Sequence, residues 1–118
     1  MVIQYQRLNR VFRALADPTR RRILEYVAGR EHSVNELQRA FPISQPAVTK
    51  HLQVLERAGL ITRRKEGRWR YSRARRSAIR APMAWMRRYT RMWTQRLDAL
   101  ETLLADPELR RELDRDKR

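Results

Sequence analysis

The sequence predicts a mainly α-helical fold that carries one small β-hairpin, and three observations support this prediction. Apolar residues recur every three or four positions through most of the chain, which is the period of an amphipathic helix. Ser, Asp and Pro precede several of these stretches, and Gly or Pro follows them, as at helix ends. The stretch 61–72 differs, because its Ile, Trp and Tyr residues surround a polar turn at Glu66 and Gly67 and favour strands.

The first two predicted helices meet at Asp17. In the first helix, the apolar residues share one face: Tyr5, Leu8, Phe12 and Leu15. Asp17 and Pro18 form an N-cap followed by proline at the first helical position, which predicts where the second helix begins. Ile23 and Val27 give this helix its buried side, and Gly29 lies where a glycine C-cap is expected to end it.

A short third helix is predicted between Ser33 and Pro42. Ser33 and Glu36 match a capping box, in which the serine hydroxyl accepts from the glutamate N–H and the carboxylate accepts in return. Leu37 and Phe41 would form the buried side of this helix, and the proline would end it.

The fourth helix is predicted to run from Gln45 to about Ala58, with Ser44 as its N-cap and Gly59 as its stop. At about 100° per residue, its apolar residues gather on one side, which predicts a core-facing side. Its polar residues gather on the opposite side. Near the N-terminal half, that polar side presents Gln45, Thr49 and Lys50, with Pro46 between them, and Ser44 lies at the start of the helix.

The segment after Gly59 is predicted to form the β-hairpin, with basic side chains along both strands and at the tip. These basic residues surround one acid, Glu66, and are Arg63, Arg64, Lys65, Arg68 and Arg70. A hairpin that follows two helices joined by a tight turn is the wing of a winged helix-turn-helix. Such a wing can reach along a DNA backbone or into a minor groove.

The long helix predicted over 82–104 has more apolar surface than a lone helix on a small domain can leave in water. We therefore expect a homodimer formed through the terminal helices, since each large apolar side chain buried contributes roughly 1.5–3 kcal/mol. The alternative is that the same stripe packs only on its own domain. The predicted interface combines apolar residues of the first and last helices: Tyr5, Leu8, Phe12, Trp85, Trp93, Leu97, Leu100 and Leu104.

Asp106 and Pro107 interrupt the helical pattern near the end of the sequence. We predict one winged helix-turn-helix domain over residues 1–105 and a charged tail over 106–118, formed either by a short frayed helix or by disordered chain. No apolar run is long enough to cross a membrane, and no secretory signal is visible, so we expect no membrane insertion.

The net charge of the sequence is +15, and the excess of basic residues lies before residue 98. A cationic body suits a polyanion, and the polar side of the fourth helix favours double-stranded DNA, because the major groove admits a helix. Gln45 can pair with adenine, Thr49 can contact thymine, and Lys50 can reach guanine or a phosphate. Ser44 lies at the helix N-terminus, where unpaired N–H groups favour phosphate. A cytoplasmic, nucleoid-associated location follows.

The two histidines have different predicted surroundings. His51 falls within the apolar arc of the fourth helix and is predicted to be partly buried and hydrogen-bonded, whereas His32 is predicted to be a surface residue in a loop. A tetrahedral metal site needs about three or four ligands, and two dispersed histidines in a chain without cysteine do not supply them. We expect no metal and no cofactor.

Three stretches carry a family resemblance: "FRALADPTRRRILEYV", "VNELQRAFPISQPAVTKHLQVLERAGLITRRKEGRWRYS" and "WMRRYTRMWTQRLDALETLL". They resemble the ArsR-type winged helix-turn-helix transcriptional regulators of prokaryotes, over about residues 8–104. The resemblance implies a homodimer that binds an operator, usually as a repressor. The sequence lacks the cysteine pair and the late histidines of the family's metal sensors, and is similar to a cysteine-free branch. DNA contacts are implied for Ser44, Gln45, Pro46, Thr49, Lys50, Arg63, Arg64, Arg68 and Arg70.

Two other functions fit parts of the sequence. A general basic nucleic-acid-binding or chromosome-organising protein without sequence specificity would use the same charge, but would not need a separate reading face. A protein-interaction module, with the long helix binding a partner, would have little affinity for DNA at physiological salt. An enzyme is not expected, because neither a glycine-rich phosphate loop nor a catalytic set of side chains stands out. The inducer stays open between a protein and a small molecule.

Overall fold

The fold is mainly α-helical with a small antiparallel sheet, as the sequence predicts. The structure is a computed structural model that describes the backbone of residues 2–117 and the side chains of residues 5–117. The elements in chain order are α1 (Val2–Leu15), α2 (Pro18–Gly29), β1 (His32–Ser33), α3 (Val34–Ala40), α4 (Gln45–Arg57), β2 (Ile61–Glu66), β3 (Trp69–Ala74), a 3₁₀ turn (Arg76–Ile79), α5 (Arg80–Leu104) and α6 (Pro107–Asp116).

Side-chain caps confirm three of the predicted helix starts. A carboxylate oxygen of Asp17 accepts from the backbone N–H three residues later, at 3.0 Å, and opens α2. Ser33 and Glu36 form the complete capping box of α3, with bonds of 3.1 and 3.3 Å. The hydroxyl of Ser44 accepts at 3.3 Å from the third residue of α4. Each such cap contributes typically ~1 kcal/mol to stability.

Two glycines end elements through a left-handed backbone conformation that other residues rarely adopt. Gly59 follows α4 with a φ of 77°, and Gly67 occupies the hairpin turn with a φ of 59°. Gly29 is the last residue of α2, which confirms the predicted end of this helix. Its φ is not positive, and the C-cap is Arg30, which is extended with a φ of −162°.

The sheet contains three antiparallel strands in the order β1-β3-β2. β2 and β3 form the predicted hairpin, whose register runs from Ile61 opposite Ala74 to Glu66 opposite Trp69 at the turn. β1 pairs with the other edge of β3. The sequence did not predict β1, because a strand of two residues shows no alternation of apolar and polar positions.

The two histidines lie in different surroundings, one predicted correctly and one not. His51 is half-buried on α4, with its Nδ1 3.5 Å from Nη1 of Arg20, which confirms its prediction. His32 is only 9% exposed, its Nδ1 lies 2.9 Å from the backbone oxygen of Arg30, and its ring meets Tyr26 edge-on. The prediction of a surface loop residue is wrong for His32, because β1 pairs with β3 and brings this residue into the body.

One hydrophobic core gathers residues of α1 to α4 and the start of β2. In α4, Val48, Leu52 and Leu55 are fully buried while the polar residues on the other side remain at the surface, which confirms the predicted division of this helix. The buried apolar residues are Val11, Ala14, Ile23, Val27, Val34, Leu37, Phe41, Val48, Leu52, Leu55, Leu60 and Ile61.

The chain divides into two compact units after Pro82. The first contains α1 to α4, the sheet and the start of α5, and the second contains the rest of α5 and α6. Asp106 caps α6, so the final segment, for which the sequence left helix and disorder open, is helical from Pro107 to Asp116. The predicted boundary at residue 105 falls between α5 and α6. No helix in the described range 2–117 has the length and apolar character needed to cross a membrane.

Candidate nucleic-acid interface

The polar side of α4 lies at the surface because the opposite side is anchored in the core. Ser44, Gln45, Pro46 and Lys50 are exposed, and Thr49 is half-buried. The helix cannot rotate about its axis without exposing three fully buried apolar side chains. The four residues of this helix that are predicted to contact DNA therefore gather at its N-terminal half, away from the buried side, and the fifth, Ser44, lies exposed at the N-cap.

The turn before α4 is held by packing at the end of α3. Phe41 is 5% exposed, and its backbone N–H donates to the oxygen of Gln38 at 3.3 Å. The guanidinium of Arg22 lies 5.3 Å from the centre of the Phe41 ring, which fixes this ring against α2. Residues 41–44 therefore form the tight turn of a helix-turn-helix, and the start of α4 is fixed relative to the core.

Arg20 connects three helices behind this surface. Its Nε donates to the oxygen of Ala14 at 2.7 Å, and its Nη2 donates to the oxygen of Arg13 at 2.9 Å. These carbonyls belong to the last turn of α1, where the Arg13 oxygen also accepts from the backbone N–H of Ala16 at 3.2 Å. The third contact is with His51 on α4. The sequence did not predict this role of Arg20, because helical periodicity does not reveal a side chain that caps a different helix.

The two faces of the hairpin carry different side chains. Alternate residues of a strand lie on opposite faces and paired residues share a face, so the register places Arg63, Lys65 and Arg70 on the same face as Ile61. Ile61 is 2% exposed, and this face therefore continues from the core. The opposite face carries Arg64. The four predicted wing arginines thus do not share one surface.

A cleft of about 220 Å³ separates the start of α4 from the hairpin. It brings together the N-terminal end of α4 and three of the four predicted wing arginines, Arg63, Arg68 and Arg70. The fourth, Arg64, does not line it. One nitrogen of Arg63, Nη2, is buried and has no hydrogen-bond partner among the described residues. Asn35 and Trp69 also line the cleft, and no pattern in the sequence predicts a role for them there. The lining residues are Val34, Asn35, Gln45, Thr49, Arg63, Arg68, Trp69 and Arg70.

Arg64 is occupied by carboxylates. Its Nε and Nη2 donate to the two carboxylate oxygens of Glu31 at 2.8 and 2.7 Å, and its Nη1 donates to Glu66 at 2.7 Å. The guanidinium carbon lies 4.5 Å from the centre of the Tyr71 ring. The hydrogen bonds from Arg64 lower the pKa of Glu31, and the two carboxylates raise the pKa of Arg64. The predicted DNA contact of Arg64 stays a prediction, and its guanidinium is already bound within the sheet.

The residues predicted to form a dimer interface leave large apolar side chains exposed. On α1, Tyr5 is 59% exposed, while Leu8 and Phe12 are half-buried. On α5, the rings of Trp85, Tyr89 and Trp93 stack in succession, with centroids 5.2 and 6.4 Å apart. An exposed apolar stripe of this length is typical of an interaction surface. The α5 residues of the predicted interface are all exposed: Trp85, Trp93, Leu97, Leu100 and Leu104.

The described residues contain no cluster of three or more histidine, aspartate or glutamate side chains that could hold a metal ion. The sequence contains no cysteine. The two histidines, His32 and His51, each contact a neighbouring arginine residue within the first unit.

Comparison with protein families and curated proteins agrees with this geometry. The family model described as "Helix-turn-helix domain" matches residues 15–64, which include α2 to α4 and the start of the wing. The chain is similar to the transcriptional repressor SdpR of Bacillus subtilis (strain 168). The two are 32% identical over 79 residues, which cover 67% of this chain and 88% of that protein.

Solved structures share the fold. An ArsR-like transcriptional regulator from Rhodococcus sp. RHA1 matches with a TM-score of 0.71 and 32% identity, over 87% of this chain and 96% of that chain. The homodimeric winged helix-turn-helix DNA-binding domain of Mb0332 from Mycobacterium bovis matches with a TM-score of 0.63 and 27% identity. That match covers 72% of this chain and 80% of that one.

Proposed function

Because this chain belongs to the ArsR family of transcriptional regulators, we propose that it binds a pseudo-palindromic operator as a homodimer and represses transcription. The observation that supports this proposal most strongly is the cleft in which Gln45 and Thr49 of α4 meet Arg63, Arg68 and Arg70 of the hairpin. A duplex placed there would meet base-reading side chains and phosphate-binding side chains at the same time.

Base reading is assigned to α4. Gln45 can form two hydrogen bonds with adenine, and Thr49 can present its hydroxyl or its methyl group to the major groove. Lys50 extends the same surface toward guanine or a phosphate, and Pro46 adds a small apolar contact. Ser44 is already the cap of α4, and the free N–H groups of this helix start favour a phosphate.

Phosphate binding is assigned to the cleft side of the hairpin. Arg63 has a buried guanidinium nitrogen without a partner among the described residues, and such a group costs free energy until an acceptor arrives. A phosphate oxygen is a suitable acceptor, because arginine binds phosphate in a fixed two-pronged geometry. We add Lys65 to the predicted wing contacts, since the register places it beside Arg63 and Arg70.

The homodimer is proposed on the exposed apolar stripe of α5. Two copies of this stripe could bury Trp93, Leu97 and Leu100 against each other, and each large side chain buried contributes roughly 1.5–3 kcal/mol. A twofold dimer would also present two copies of α4 to successive major grooves, about 34 Å apart, as a pseudo-palindrome requires. The similarity to the homodimeric Mb0332 domain supports a homodimer.

We propose that operator release does not depend on a metal ion. This rests on the absence of cysteine from the sequence and on the lack of a three-ligand cluster among the described residues. Operator affinity should be the same in the presence of stoichiometric Zn²⁺ and in the presence of EDTA. A change of tenfold or more on adding the metal would contradict this proposal.

The test of the main proposal is selection of duplexes from a random pool, followed by footprinting of the selected sequence and of DNA upstream of the gene. A regulator should enrich a sequence with twofold symmetry and protect two half-sites about one helical turn apart. Competition with random duplex should then remove the protein from the selected site only at a large excess. Equal competition by random and selected duplex would indicate a general nucleic-acid binder instead, which would act in the cytoplasm on the nucleoid as a whole.

A further inference from the structure

Arg64 and Glu31 form a bidentate ion pair across the sheet. Two nitrogens of the guanidinium donate to the two oxygens of one carboxylate, at 2.8 and 2.7 Å. This parallel geometry fixes direction as well as distance, unlike an ion pair that forms through a single contact. The ion pair joins residues 33 positions apart in sequence.

The same side chain spans all three strands. Arg64 belongs to β2, Glu31 lies directly before β1, and Tyr71 belongs to β3, which is the middle strand. The register places Tyr71 opposite both Arg64 and Ser33. The guanidinium carbon of Arg64 lies over the Tyr71 ring, 4.5 Å from its centre, while its nitrogens reach the carboxylate of Glu31. Its remaining nitrogen donates to Glu66, beside the turn, at 2.7 Å.

The outer part of the hairpin has few other connections to the core. On β2, Ile61 is buried and Arg63 is half-buried, but every residue from Arg64 to Arg70 is exposed. Among the ion pairs of the described residues, Arg64–Glu31 is the one that connects this exposed part to the segment before β1. Without it, the direction of the outer hairpin would be set by the backbone pairing of β3 with β2 and, at the base of the hairpin, with β1.

Local charge argues against a direct phosphate contact by Arg64. The cluster contains one cation and two carboxylates, so a phosphate approaching Arg64 would also meet the negative charges of Glu31 and Glu66. By contrast, the described residues on the other face of the outer hairpin include Lys65 and Arg70 as a facing pair without an acid. The favourable place for DNA is therefore the face opposite Arg64.

Fold stability does not explain the cluster either. The side chains of Arg64, Glu31 and Glu66 are 50%, 30% and 68% exposed, and ion pairs in water contribute little to stability. A bidentate pair can nevertheless select one direction among many for a segment that is otherwise free to bend. Its effect should therefore be seen in what the hairpin contacts and not in the melting temperature.

We infer that Glu31 is a positioning residue for DNA binding: it holds Arg64, and through Arg64 the wing, at the angle where Arg68 and Arg70 meet the same duplex as α4. This inference rests on the proposed function. Glu31 is an acid on a protein that binds a polyanion, and its presence is otherwise unfavourable for binding.

The substitution Glu31→Gln gives opposite results for the two possible roles of Arg64. If the pair positions the wing, binding to the selected duplex should weaken by about tenfold, although an acid has been removed. Footprint protection should disappear at the wing positions and persist where α4 binds, with an unchanged melting temperature. If Arg64 instead binds phosphate, Glu31→Gln would release it, and binding would strengthen, which would overturn the inference.

Two further variants distinguish a loss of wing positioning from a general effect of the substitution on folding or charge. Arg64→Lys keeps the positive charge but loses the two-pronged geometry, and should weaken binding in the same way. Wild-type affinity of Arg64→Lys would overturn the inference. Glu25→Gln makes the same charge change at an exposed acid of α2 that has no ion pair in the described part of the chain, and should bind as well as wild type or better.

A failure of the proposed function gives a different pattern. If the wild-type protein selects no sequence, the regulator proposal fails, and the same variants are then compared on a duplex of random sequence. Weaker binding of Glu31→Gln and Arg64→Lys there would still support the positioning role. Unchanged or stronger binding would refute it.

Discussion

Lys65 and Arg70 lie directly opposite each other across the hairpin, on the face that borders the cleft. Like charges in this position repel, and the pair therefore costs free energy in the unbound protein. A phosphate between or above the two cations would remove this cost. The pair therefore lowers the stability of the fold but favours the binding of a polyanion. One substitution should change these two properties in opposite directions.

The substitution Lys65→Glu should raise stability and lower DNA affinity. It converts a repulsive cross-strand pair into an attractive one, so the free energy of unfolding should increase by about 0.2–1 kcal/mol. Affinity for any duplex should fall, and the dependence of log affinity on log salt should become less steep by about one unit. Urea denaturation and titrations at several salt concentrations measure the two effects. Lower stability together with unchanged affinity would contradict both assignments.

Substitutions on α4 and on the wing should affect different properties of binding. Thr49→Ala would remove the proposed base contact and should reduce discrimination at one position of the operator, by about 1–3 kcal/mol. Arg68→Ala would remove the proposed phosphate contact and should weaken binding to selected and random duplexes by a similar factor. Affinities measured for a panel of single-base variants of the operator distinguish these patterns. Equal loss on all duplexes for Thr49→Ala would refute base reading by this residue.

Charge on the apolar stripe of α5 should separate the proposed dimer. Leu97→Glu would place a carboxylate among apolar side chains, where it cannot be hydrated, and should shift the protein toward monomer in sedimentation experiments. Gln95→Glu adds the same negative charge two residues away, on the other side of the helix, and should leave the dimer intact. A wild-type protein that sediments as a monomer at micromolar concentration would rule out the dimer proposal.

Stability should decrease at acidic pH through two carboxylates at helix starts. Arg30 lowers the pKa of Glu36, and a backbone N–H lowers that of Asp17. In each case the folded state favours the charged form, so the contribution is complete above the ordinary values of 4.5 and 3.8. It is lost as pH falls through the lower pKa of the folded state. Thermal unfolding between pH 6 and pH 2 measures this loss, and Asp17→Asn should show a smaller one.

Local chemistry explains which features could be predicted from the sequence. The caps at Asp17, Ser33 and Ser44 depend on atoms three residues away, and the division of α4 depends on positions within one helix. Such features are present in any short window of the sequence. The outward side of α4 was predictable for this reason, and so was the hairpin after Gly59.

The features that the sequence did not predict depend on distant partners. Glu31 meets Arg64 only because β3 pairs with both β1 and β2 and so places them in one sheet. The strand β1 has only two residues, which are too few to show an alternation of apolar and polar positions in the sequence. The burial of His32 has the same origin. The pattern also could not distinguish Arg64 from Arg63, because the two faces of a hairpin differ only once the register is known.

The three tryptophans of the chain give its fluorescence an unusual distribution. Trp69 is 51% exposed at the wing, while Trp85 and Trp93 are 37% and 55% exposed on α5. None belongs to the hydrophobic core. Indole emission should therefore change little when the core of an isolated protomer melts, and strongly when a surface is covered. A protein carrying only Trp69 would report contact with DNA, and one carrying only Trp93 would report self-association, so a single optical signal can follow the two events separately.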